Sequence, residues 1–278
     1  MQGLFCYING KIKRDSEASL PISDLGIQRA YGIFDFFRVK GQQALFLDEH
    51  LDRLFHSAQI MRLDSIIKRD DLKEIIHELI NLNALDHSGM KILITGGDAS
   101  DGYTIHEPRL SIVQNNLLPP PDILPVQGIR LACREYQRQL ADVKTNDYLM
   151  AIWLQPWMKE KKADDILYHQ NGLISECPRS NIFIITKDLK LVTPNSGMLA
   201  GITRKNIIKA ANALKITVEE RAVNVKEVFD AAGVFICSTT KRIMPVAMVD
   251  DITIPQASSR EIMELLWREL LKMEEASS

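Results

Sequence analysis

Three consecutive prolines, Pro119, Pro120 and Pro121, stand near the middle of a 278-residue chain. A proline run favours extended polyproline backbone and cannot continue a helix or a central strand. It follows Asn115, Asn116, Leu117 and Leu118 and precedes Asp122, so residues 115–122 are expected to be a spacer. On this reading residues 1–114 form a smaller N-terminal domain and 123–278 a larger C-terminal one. The length agrees, at roughly 100–200 residues per domain.

Both halves mix short strands with helices. Phe5 to Ile8, Asn9-Gly10 and Lys11 to Lys13 predict a hairpin on a tight turn. Gly32 to Val39 predicts a second strand, with a turn at Gly41 and a return over Ala44 to Leu47. Asp48 is the expected cap of a helix whose stripe is Leu51, Leu54, Phe55, Ala58 and Met61. A helix over Asp70 to Leu82 follows, then strands at Met90 to Thr95 and Leu110 to Val113 around a Gly-rich loop. In the second half, Ile129 to Arg134 is strand-like, and Pro156 is expected to kink or break a helix over Asp147 to Lys162. Asp165 to His169 and Leu173 to Ser175 flank a second Asn-Gly turn, and Asn181 to Thr186 pairs with Leu189 to Thr193. A helix over Thr203 to Leu214 and strands at Val218 to Val223 and Val234 to Cys237 close the pattern. Interspersed helices and hairpins point to α+β domains rather than a doubly wound sheet.

Composition narrows the class. With 34 basic and 36 acidic residues the net charge is -2, which is no nucleic-acid footprint. No apolar run approaches the ~20 residues of a membrane span, and Met1 to Arg14 carries no secretion-signal pattern. Cys6, Cys133, Cys177 and Cys237 are scattered without paired spacing, and no H-E-x-x-H is present. They read as reduced core thiols of a cytoplasmic protein, without a disulfide frame or a metal site.

Three stretches of the second half carry candidate chemistry. Lys144 lies between a strand and a helix, four residues before Tyr148. If buried, it is a Schiff-base amine; the alternative is a solvated lysine. Glu176 ends a hairpin strand among apolar neighbours, where a carboxylate needs a cationic partner such as a protonated pyridine nitrogen, unless it lies at the surface. Leu199-Ala200-Gly201-Ile202-Thr203-Arg204 runs into a helix, offering close backbone approach, a hydroxyl and free N–H groups to an anion. Thr203 alone is equally a plain cap. Ser238-Thr239-Thr240 follows a strand and can complete the same cradle.

Taken together, these stretches resemble the fold-type-IV pyridoxal-phosphate enzymes, the class-IV aminotransferase family. Tyr31-Gly32-Ile33-Phe34-Asp35, His50-Leu51-Asp52-Arg53-Leu54 and Ser57-Ala58 extend the likeness into the first half. The resemblance implies two α+β domains with the cofactor, pyridoxal 5′-phosphate, between them. It implies that Lys144 is the cofactor lysine and proton shuttle, that Glu176 faces the pyridine nitrogen and that Tyr148 bonds the phenolic oxygen. Arg53, Ile202, Thr203, Thr239 and Thr240 become the phosphate set, and Leu199 packs on the ring. The competing role for Arg53 is a solvated partner of Asp52 or Asp48.

Within the family, branched-chain aminotransferases are favoured, taking an L-amino acid and a 2-oxo acid in a two-stage exchange. Phe34 matches their apolar pocket wall and Phe36 can extend it, although glycine usually stands at 36 and glutamate at Asp35. Lys91 stands where an arginine helps hold the substrate carboxylate, and Tyr103 and Lys241 complete the substrate contacts. D-amino-acid aminotransferases carry an arginine and a histidine where this chain has Asp101 and Tyr103. The alternative activity is aminodeoxychorismate lyase, whose threonine is replaced here by Phe36 and whose phosphate motif often lacks the threonine that Thr203 supplies. The family implies a homodimer.

Overall fold

The computed structural model describes residues 3–64 and 66–277. The outermost residues of the two expected domains, 1 and 278, lie outside the described residues. The chain falls into two compact units. Among the described residues, the first holds those up to Pro119 together with Val143–Asp147 and Ser277. Pro120–Asp142 and Tyr148–Ala276 make the second.

The first unit begins with β1 (Phe5–Ile8) and β2 (Lys11–Arg14). Their turn is the Asn9-Gly10 pair, both at positive φ, as a two-residue hairpin turn of this kind demands. The short helix α1 (Leu25–Gln28) leads to β3 (Gly32–Lys40), β4 (Gln43–Ala44), α2 (Leu47–Ile60), α3 (Arg69–Asn83), β5 (His87–Thr95) and β6 (Arg109–Asn116). The sheet order is β2-β1-β6-β5-β3-β4, antiparallel wherever strands pair. Alternation sends Ile33, Phe37, Val39, Met90, Ile92 and Ile94 into one core with Leu51, Leu54, Leu72 and Ile76 of the helices. Each such side chain contributes about 1.5–3 kcal/mol by burial. Gly32, Phe34, Phe36 and Arg38 of β3 share the other face with Gly89, Lys91 and Leu93 of β5.

Two expectations are corrected here. The residue capping α2 is Phe46, in the left-handed region at φ 55°, not Asp48. Asp48 lies inside the first turn and pairs with Arg69 and Lys73 of α3. The expected spacer also begins too early, because Asn115 and Asn116 still pair with Gly89 and Ser88 as the end of β6.

The second unit contains β7 (Ile129–Glu135), α4 (Leu149–Trp153), α5 (Gln155–Glu160), β8 (Asp165–Gln170), β9 (Leu173–Ile174), β10 (Asn181–Ile185) and β11 (Leu191–Thr193). It continues with α6 (Ile202–Ala213), β12 (Val218–Glu220), α7 (Val225–Phe229), β13 (Gly233–Ser238), β14 (Arg242–Val249), β15 (Ile252–Thr253) and α8 (Arg260–Ala276). Among the described residues its strands follow the order β12-β11-β10-β13-β14-β7-β8-β9, with β15 on β14. Pro156 splits the expected helix in two, because a proline fits only the first turn of α5.

The expected pattern closes at Cys237, but the chain continues into β14 and α8. Pro245 sits inside β14 opposite Phe235 and masks the strand signal. α8 and α6 cover one face of the sheet, where Phe183 and Phe235 stack with centroids 5.1 Å apart. Side chains of this unit also hold the end of the expected spacer. Arg242 Nη1 donates to the Pro121 carbonyl at 2.6 Å and Trp267 Nε1 to that of Asp122 at 3.1 Å.

Candidate active site

Lys144 is placed by a strip of β-pairing that sequence alone does not announce. β4 covers only Val39 and Lys40, which leaves the other end of β3 open on that edge. Residues 144–146 take it: Phe34 N donates to the Lys144 carbonyl at 2.9 Å and Asn146 N to that of Gly32 at 3.0 Å. Lys144 therefore belongs with the first unit, although the expected boundary assigns it to the second domain. Its Nζ lies 4.4 Å from the centroid of the Phe34 ring, and Lys91 Nζ lies 5.4 Å from the same centroid. The structure thus gathers Lys144, Phe34 and Lys91, with Phe36 and Arg38 further along the same face. Arg38 was missed, though the alternation that selects Phe34 and Phe36 selects it too.

Behind this face, α2 supplies a charged cluster. His50, Arg53 and Ser57 recur at helical spacing and so point the same way. Ser57 Oγ accepts from Lys144 N at 3.3 Å. Arg53 Nε and Nη2 donate to Asp35 at 2.8 and 2.9 Å, and His50 Nδ1 lies 2.6 Å from Asp35 Oδ1. Asp35 is fully buried. Burial alone would raise its carboxyl, but the charge of Arg53 and the hydrogen bonds of His50 and Arg53 outweigh that and hold it well below the usual range. Burial lowers His50, with Asp35 opposing, so the imidazole is neutral and donates Nδ1–H to the carboxylate. Arg53 is therefore no solvated helix arginine, and Asp48 and Asp52 take Arg69 instead.

The second unit holds most of the remaining candidates. Glu176 is buried just past β9, and both its oxygens are engaged. Arg138 Nε donates to Oε1 at 2.7 Å, and Leu199 N to Oε2 at 3.0 Å. Arg138 Nη2 also donates to the Ala141 carbonyl at 2.5 Å. Arg138 was missed, yet a buried carboxylate demands a cation, and that demand could have found it.

Ile202 and Thr203 open α6, so their N–H groups lack an intrahelical acceptor. The cap is Gly201 rather than Thr203, without a side-chain bond. A Cβ at Gly201 would collide with Asn181 Oδ1, while Asn181 Nδ2 donates to the Leu199 carbonyl at 2.8 Å. Asn181 thereby fixes the path into the helix, a role read only from structure. Thr239, Thr240 and Lys241 form the turn joining β13 to β14, with Ser238 Oγ 3.5 Å from Thr240 Oγ1. Lys241 Nζ reaches Ser180 Oγ at 3.2 Å and Asp165 at 3.6 Å, which ties it to the turn beyond Glu176. Tyr148 caps α4. Tyr103 stands 85% exposed in the loop after β5. That loop is shaped by Asp101, which accepts from Thr104 Oγ1, Thr104 N and Tyr103 N, bonds that lower its carboxyl to about 2.

The amine, the buried carboxylate with its cation and the open helix start fit an anionic, ring-nitrogen cofactor by donor chemistry. The family model for class IV amino-transferases matches residues 32–249, more than half the chain. The chain belongs to the class IV aminotransferase family. It is 27% identical to a D-alanine aminotransferase of Bacillus licheniformis, over 88% of each chain. A Legionella pneumophila structure provisionally named 4-amino-4-deoxychorismate lyase is 27% identical, with TM-score 0.81 over 92% of this chain and 97% of that one. The branched-chain amino acid aminotransferase of Escherichia coli, 24% identical, shares the fold with TM-score 0.85 over 94% and 92% of the two chains.

Proposed function

We propose that this aminotransferase moves the amino group of a branched-chain L-amino acid to a 2-oxo acid with pyridoxal 5′-phosphate. The observation that carries the reading is the Phe34 ring, an apolar wall with the Lys144 amine on it and the Lys91 cation in reach. Bound at Lys144, the cofactor supplies a carbonyl that takes up the amine and a ring that accepts the electrons left when Cα loses its proton.

The chain's own residues do the rest. With the cofactor held there, Lys144 Nζ would be the base that takes the Cα proton and the acid that gives it back. Glu176, paired with Arg138, faces the ring nitrogen and favours its protonated form. Arg53 gives a fixed charge to the phosphate, and Ile202, Thr203, Thr239 and Thr240 give N–H and hydroxyl donors. Tyr148 bonds the phenolic oxygen and Leu199 covers the ring. Lys91 draws the substrate carboxylate, while Phe34 receives an apolar side chain, with Phe36, Tyr103 and Lys241 at its margins. The donor departs as its 2-oxo acid, and a second 2-oxo acid collects the nitrogen.

Asp101 supports L-donors over D-donors. Its carboxylate is charged at working pH and would repel the substrate carboxylate that the D-specific relatives hold at that point. The chain is further proposed to act as a cytoplasmic homodimer. No helix among the described residues is long and apolar enough to cross a membrane.

The test is the visible spectrum of the cofactor-loaded protein with L-leucine, L-glutamate, D-alanine or aminodeoxychorismate, each without an oxo acid. Bleaching by L-leucine and L-glutamate is expected. Reaction with D-alanine alone, or pyruvate release from aminodeoxychorismate alone, would overturn the assignment.

A further inference from the structure

Phe36 does not lie where its position on β3 alone would put it. Lys91 is directly across on β5, and the next residue of β5 on the same face is Gly89, opposite Arg38. A Cβ at position 89 would stand 2.5 Å from Cε2 of Phe36 and closer still to Cζ. Carbon atoms in contact sit about 3.5–4.0 Å apart, so the ring lies on bare β5 backbone and leaves no room for a side chain there. It leans toward the Arg38 end of the strand. Phe34, opposite Leu93, and the Lys144 strip paired to it are at the other end.

Gly89 is not kept for its backbone, since it is not among the glycines at positive φ. In a strand flanked on both sides, a glycine is less stable than an alanine because it has more backbone freedom to lose and no side chain to pack. What it supplies is space. Where glycine usually stands at position 36 in the branched-chain enzymes, this chain has a bulky ring there and the glycine across the strand.

We propose that Gly89 sets the size of the substrate side chain by letting the Phe36 ring lie down on β5, away from Phe34 and Lys144. This rests on the assignment of that face as the substrate pocket. A side chain at 89 turns the ring upright toward Phe34 and takes the volume that a bulky donor needs.

Wild type, Gly89→Ala, Phe36→Ala and the double variant, all loaded with pyridoxal phosphate, are compared on L-alanine, L-valine and L-leucine. Gly89→Ala is expected to lower kcat/KM for leucine relative to alanine by about tenfold or more, through KM. The double variant, which has no ring to turn, returns that ratio to the value of Phe36→Ala alone. Gly89→Ala with the wild-type visible spectrum and an unchanged ratio overturns the proposal. So does a rise of about tenfold in the leucine-to-alanine ratio of Phe36→Ala, because the ring would then already fill the pocket. If Gly89→Ala does not fold, that second ratio decides. A wild type without cofactor absorbance removes the pocket assignment as well, whereas a wild type that transfers normally confines the failure to Gly89.

Discussion

Two buried arginine–carboxylate pairs stand in the two units, and they divide the labour in opposite ways. In the first unit Arg53 is the group proposed to meet a ligand, and Asp35, fully buried and also bonded to His50, holds it. In the second unit Glu176 is the group so proposed, and Arg138, itself 17% exposed at the side chain, holds it. On the proposed assignment one interaction type would serve an anion site in one place and a cation site in the other. Burial does not tell the two roles apart, because the carboxylate is the more buried partner in both pairs, Asp35 at 0% and Glu176 at 7% of the side chain.

The comparison breaks first at Asp35. Asp35→Asn leaves Arg53 without its countercharge in the core and is expected to destabilise the cofactor-free protein by about 3–5 kcal/mol in urea unfolding. Glu176→Gln keeps the shape and half the hydrogen bonding of an offered group. It should lose less than about 1.5 kcal/mol of stability while steady-state turnover falls by about 10²-fold. Equal stability losses in the two variants would erase the distinction.

A smaller effect sharpens the first pair. His50 is neutral in the folded protein and its proton affinity is lowered, so below about pH 6.5 the unfolded chain binds the extra proton. Stability should therefore fall between pH 7 and 5, by up to about 1.4 kcal/mol per pH unit. Asp35 stays ionised across that window and contributes no slope there, because its depressed carboxyl is lost only under far more acidic conditions. Unfolding midpoints against pH should show the fall in wild type and a flatter curve in His50→Asn. The smallest effect belongs to the exposed pair of Asp48 with Arg69 and Lys73, whose aspartate side chain is 65% exposed. Asp48→Ala should change stability by less than about 1 kcal/mol.

Much of this was legible in the chain. Period-two and helical patterns located β3, α2, α3, β5 and β13, and the Asn-Gly pairs located both tight hairpins, because turn chemistry and alternation are local. Charge pairing across the fold was not. Arg53 and Glu176 came from motif likeness, but Arg138 lies 38 residues from Glu176 and shares no periodic pattern with it. The strip 144–146 docks on β3 more than 100 residues away by three-residue pairing, too short to leave a strand signature. β14 was hidden by Pro245, and Asp48 imitated a cap that the left-handed Phe46 makes unnecessary.

The decisive measurement is borohydride reduction of the loaded protein followed by peptide mass mapping. Reduction fixes whichever lysine forms the cofactor imine as a stable secondary amine. Pyridoxyl label on the peptide containing Lys144, absent in Lys144→Ala together with transfer activity, is the expected result. Label on another lysine, or Lys144→Ala that still transfers amino groups, contradicts the assignment.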